Sequence, residues 1–124
     1  MKRGFTLIEL IIVIIIIGLL ASLGLPQYVK VTERARKAEG VSLLSLIRSS
    51  QMRYRADTGN YATTMNSLDV EWTTPKYFTV NNAAGTASEV GNLTRNDRER
   101  ASNFTAYVLK ISEAGEITCT GTCP

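Results

Sequence analysis

Residues 5–25 are a run of 21 in which fifteen are Leu, Ile, Val or Phe and only one, Glu9, is charged. As a helix the run measures roughly 31 Å at 1.5 Å per residue, close to the thickness of a bilayer's hydrocarbon core. Its middle, Ile11-Ile12-Val13-Ile14-Ile15-Ile16-Ile17, is entirely β-branched and would favour strand in water. In lipid a single segment must satisfy its own backbone, and only a helix does so. The apolar side chains are together worth about −7 kcal/mol on the insertion scale. A buried carboxylate costs about 2.5–3.5 kcal/mol on the same kind of scale, so insertion wins. Lys2 and Arg3 sit on the short flank, and the positive-inside rule keeps that end cytoplasmic and sends the remainder outward.

About 100 residues of the 124 are left for one modest core. Pro26 lacks an N–H and should kink or locally melt the helix around residues 24–26. Beyond it, Val31, Ala35, Ala38, Val41, Leu44, Ile47, Gln51 and Tyr54 recur at helical spacing and form one mostly apolar stripe. Gly59, after Asp57-Thr58, is a stop signal, and residues 60–75 read as a connecting loop with Tyr61, Leu68 and Trp72 as apolar anchors over the helix. Strand patterns follow at 76–80, near 87–94, at 104–112 with Thr105, Tyr107, Leu109 and Ile111 on one face, and at 117–120 after a turn at 113–116. The mixed charges Arg95, Asp97, Arg98, Glu99 and Arg100 read as a solvated loop, with contacts between copies as the alternative. The expected fold is α+β: a long N-terminal helix, half membrane and half amphipathic, packed on a three- to four-stranded antiparallel sheet. Its divisions are 1–4, 5–25, 26–59 and 60–124.

The chain has no histidine, which removes Ser-His-Asp and Cys-His nucleophile systems and histidine-based zinc sites. No phosphate-cradling glycine loop or metal constellation replaces them, so neither an enzyme nor a cofactor is expected. Residues 28–57 carry seven basic side chains against three acidic, whereas 58–124 carry five against seven. A basic stem and a mildly acidic head suit contacts between copies, although a solvated helix face explains the same charges. Nucleic acid is not expected as the main partner, because no aromatic platform is interleaved with the bases. Cys119 and Cys123 lie in the translocated part, where an oxidised bridge is expected to clamp the end of the last strand. Gly121 eases the tight bend such a ring needs. A free or metal-binding pair is the alternative.

A plain anchor leaves Glu9 unexplained, and an acid early in the apolar run disfavours an ordinary discarded signal, despite small residues at Ser22 and Gly24. A basic leader ending in Gly4, then Phe5, with Glu9 four residues on and the apolar run behind it, closely resembles the prepilin signature of type IV pilins and type II secretion pseudopilins. The likeness covers about the first 30 residues. Residues 54–68, with Asp57-Thr58-Gly59-Asn60-Tyr61-Ala62-Thr63, also look like the helix-to-loop junction of small pilins and pseudopilins.

The resemblance implies a class III leader, residues 1–4, removed after Gly4 by a membrane prepilin peptidase that also N-methylates Phe5. It makes Glu9 the assembly residue that neutralises a neighbour's terminal amine, and it puts a loosening glycine and proline at Gly18 and Pro26. The implied product is a pilin-like subunit stored in the inner membrane and polymerised as a homopolymer by an assembly platform, with an outer-membrane secretin beyond. The filament is a type IV pilus at the cell surface or, alternatively, a periplasmic pseudopilus of a type II secretion system. Major pseudopilins often bind calcium through clustered acids near the C-terminus. Here Glu113 and Glu116 are the only acids in that stretch, which leans the reading toward a pilus subunit. A C-terminal disulfide loop is common in type IV pilins but usually longer than 119–123.

Overall fold

A computed structural model describes residues 4–71, 73–81, 85–96 and 106–124. The element order is α1 (Leu7–Thr58), a single 3-10 turn (Met65–Ser67), then β1 (Phe78–Val80), β2 (Gly91–Arg95), β3 (Val108–Ile111) and β4 (Ile117–Thr120). The chain divides into two units, Met1–Thr32 and Glu33–Pro124.

The first unit is helical from Leu7 onward, and its large apolar side chains face outward, with Phe5 90% exposed. Polar groups here are satisfied locally: the Ser22 hydroxyl donates to the Leu19 carbonyl at 2.7 Å and Thr32 to the Tyr28 carbonyl at 2.9 Å. The expected melting around residues 24–26 does not occur, because α1 runs unbroken through Pro26. A proline deletes one rung of the ladder, here the bond to the Ser22 carbonyl, and the flanking turns hold without it.

In the second unit the strands form an antiparallel meander in the order β1-β2-β3-β4. The register places Leu93 opposite Leu109, and Leu109 opposite Cys119. Leu44 and Ile47 of α1 join Phe78, Val90, Leu93, Tyr107, Leu109 and Ile111 in the core, with Phe78 and Tyr107 edge-to-face at 6.0 Å. This is the α+β architecture expected, with four strands. The first strand begins at Phe78 rather than 76, and the polar 87–94 stretch supplies a central strand, Gly91–Arg95, with Leu93 fully buried. Trp72, Phe104 and Thr105 lie outside the described residues.

The buried face of α1 is rotated from the expected stripe at its start. Val31, Ala35 and Ala38 are exposed, and Glu33 and Gly40 are buried instead. Two causes are local. Glu33 is drawn inward by a charged partner from the sheet. Gly40 has no side chain because a Cβ there would come within 2.9 Å of Leu109 Cδ1 and 3.0 Å of the Phe78 ring. Helix and sheet approach each other closely at that point. From Leu44 onward the expected and observed faces coincide at Leu44, Ile47 and Gln51.

The helix ends as expected. Gly59 takes φ +79, the left-handed region a side chain resists, and its N–H reaches the Arg55 carbonyl at 2.8 Å. The following loop is tied back by side chains. Gln51 both donates to and accepts from the Ala62 backbone at 2.9 Å, and Asp69 accepts from Arg53 twice, at 2.8 and 2.9 Å, and from Ser50. The Glu39 carboxylate caps the backbone N–H groups of Lys76 (2.8 Å) and Tyr77 (3.0 Å), which fixes the entry to β1. Leu68 is buried and Tyr61 half-buried under Arg55, as anchors of this loop.

Candidate assembly site

Helix α1 opens with a reciprocal cap. Thr6 precedes the first helical residue and Glu9 is the third residue within it. The Glu9 N–H donates to Thr6 Oγ1 at 3.3 Å, while the Thr6 N–H and hydroxyl both donate to Glu9 Oε2, at 2.9 and 2.6 Å. This is the capping box written by Thr-x-x-Glu, and it meets two of the backbone N–H groups that a helix start leaves open. The carboxylate also sits at the positive end of the helix dipole. Glu9 is therefore a charge in an apolar run that its own chain partly compensates. Sequence reasoning singled out Glu9 and passed over Thr6, although the four-residue motif was in view. Among the described residues Glu9 Oε1 accepts no hydrogen bond.

Gly4 and Phe5 precede the cap as non-helical residues, next to Thr6 and Glu9 in one short stretch. Gly18 and Pro26 lie further along α1, and nothing occupies the space a Cβ on Gly18 would take. Cys119 and Cys123 are bonded to each other across a Cα separation of 6.2 Å, with Gly121 at φ +104 between them.

Arg95 corrects an expectation. It is no part of a solvated loop; its side chain is 0% exposed and lies against Glu33, 1% exposed, at the start of the second unit. Arg95 Nε donates to Glu33 Oε1 at 2.6 Å and Nη2 to Oε2 at 3.3 Å, while the Tyr107 hydroxyl adds a bond to Oε1 at 3.2 Å. The remaining guanidinium nitrogen, Nη1, reaches the carbonyls of Tyr77 and Asn96, each at 3.0 Å. Burial pushes the Glu33 carboxyl up, but Arg95, then Tyr107 and Arg36, outweigh it and hold the group below the ordinary carboxylate range. Burial and the adjacent Glu33 charge drive the Tyr107 hydroxyl far above its usual value. The pair is a fixed strut between helix and sheet, with nothing labile in it. Asp97, Arg98, Glu99 and Arg100 lie outside the described residues.

A membrane-length helix with a capped acidic start, continuing onto an antiparallel meander, defines a pilin-like chain. Residues 1–25 match the family described as the prokaryotic N-terminal methylation motif. The chain is similar to type II secretion system core protein G of Escherichia coli (strain K12), 40% identical over 68 residues covering 55% of this chain and 47% of that protein. It is also similar to the type IV major pilin protein PilA of Myxococcus xanthus (strain DK1622), 35% identical over 67 residues, 54% of this chain and 30% of the relative. A fimbrial protein of Neisseria meningitidis is 39% identical over 70 residues, 56% and 41% of the two chains. The matched part thus spans less than half the length of these relatives. No solved structure matches the chain.

Proposed function

We propose that this chain is the structural subunit of a type IV pilus. In this reading residues 1–4 are a leader, 5–25 anchor the chain in the inner membrane with the N-terminus cytoplasmic, and 26–124 form the stem and head outside. A prepilin peptidase hydrolyses the Gly4–Phe5 peptide bond, releasing residues 1–4 with a C-terminal carboxylate, and transfers a methyl group from a sulfonium methyl donor to the new amine, which loses a proton as the donor leaves as a thioether. The methylated amine remains a cation that can donate hydrogen bonds. The observation that carries the reading is the position of Glu9, which keeps Oε1 open while Thr6 occupies Oε2. A neighbour's Phe5 amine fits that open oxygen, and it exists only after cleavage, so processing must precede polymerisation. A carboxylate that is costly alone becomes tolerable when so paired. An inner-membrane assembly platform and an outer-membrane secretin are the further partners, and the role is structural rather than catalytic.

A second reading, a pseudopilin of a type II secretion system, is favoured by the 40% identity to core protein G. Mass spectrometry of the native product tests the processing: a chain starting at methylated Phe5 is expected, and any other start overturns it. Glu9→Ala is expected to abolish filaments at unchanged membrane levels, and normal assembly would remove the proposed role. A deletion strain separates the two readings, through loss of sheared surface fibres or loss of exoprotein secretion.

A further inference from the structure

Beside the capped entry to β1 a groove of about 740 Å³ lies between α1 and a wall of Glu71 and residues 73–76. Its apolar floor is Leu43 and Leu46, the latter 41% exposed despite its size. Two carboxylates, Glu39 and Glu71, stand at its rim. Glu39 is engaged by the backbone N–H groups of Lys76 and Tyr77, whereas Glu71 has no hydrogen-bond or ion-pair partner among the described residues. About two turns earlier on the same helix lies a surface of matching character. Ala35 and Ala38 are exposed there, small enough for another chain to approach, and they are flanked by Arg34 and Lys37, which likewise have no partner among the described residues.

We infer that the groove seats the stem of a second copy of this chain, with Ala35 and Ala38 over Leu43 and Leu46 and with Arg34 facing Glu71. The inference rests on the filament reading and gives it a specific contact. The groove carries two carboxylates against one cation, Lys76, and the stem patch carries two cations, so the net charges are opposite, and each surface leaves apolar area exposed that the other would cover. The surfaces are different patches of one chain, so the contact is head-to-tail. Such a contact propagates into an open polymer instead of closing as a dimer. Copies inserted in the same direction have parallel stems, and the eight-residue offset between the patches then sets an axial step of roughly 12 Å between contacting copies.

The test uses the full chain in its producing cells, with sheared filaments as readout. Glu71→Lys and Arg34→Glu are each expected to lower filament yield about fivefold or more, on the scale of a lost ion pair repeated in a polymer. The double variant is expected to restore it. A double variant no better than the worse single overturns the pairing. An independent measurement is oxidation of an Ala38→Cys, Ser45→Cys chain, which is expected to give a ladder of linked multimers that neither single cysteine gives. Filaments that form without the ladder overturn the contact and leave the filament reading intact. Failure of the unsubstituted chain to form filaments removes the reading beneath it and the contact together.

Discussion

Arg95 and Glu33 are each buried by the other's presence, so removing one strands a charge in the core. Arg95→Met is expected to lower stability by about 3–5 kcal/mol, whereas changing both residues to Met should cost much less. Thermal melts of the detergent-solubilised chain measure both. Acid should weaken the same region. The Glu33 carboxyl is held low against burial by Arg95, Glu89 is lowered chiefly by Lys110, and Asp69 is lowered by Arg53 and Ser50 to about 2 from an ordinary 3.8. Folded-state values below unfolded ones mean stability that is fully present above about pH 4.5 and lost as pH falls through the folded values. Melts between pH 5 and 2 are therefore expected to fall steadily, and Asp69→Asn should flatten the part between about 4 and 2. Two site features at this scale differed in how far they could be read. Thr6-x-x-Glu9 is a local motif that the sequence carries in full, yet only Glu9 was singled out from it. The burial of Glu33 was not, because its partner stands 62 residues away, where neighbouring charges made Arg95 look solvated.

At the scale of elements, periodicity located α1 and its Gly59 stop, because both signals are local. It misplaced the first buried turns, since apolar spacing favours alanine and valine over a glutamate whose compensation comes from another strand. β2 was hard to read for a related reason: Gly91-Asn92-Leu93-Thr94-Arg95 has little strand propensity, and pairing on both sides holds it in place. The close approach at Gly40 gives this scale its prediction. Gly40→Val places atoms where Leu109 and Phe78 already sit and is expected to cost about 1–3 kcal/mol by overpacking. Ala35→Ser, exposed on the same helix, should stay within about 0.5 kcal/mol. Chemical denaturation of the two variants side by side checks the difference.

At the scale of the molecule, every buried core residue among the described residues belongs to the second unit. A chain starting at residue 28 is therefore expected to be soluble without detergent and to retain the cooperative thermal transition of the full chain, read by circular dichroism. Loss of that transition would show that the apolar half contributes to the fold. The unbroken course of α1 also matters under tension. A pull along α1 is carried by consecutive backbone bonds, and the Ser22 carbonyl, facing a proline ring, is where that ladder lacks a rung. Stretching should begin there, lengthening the stem before the sheet or the cysteine-bridged tail bears strain.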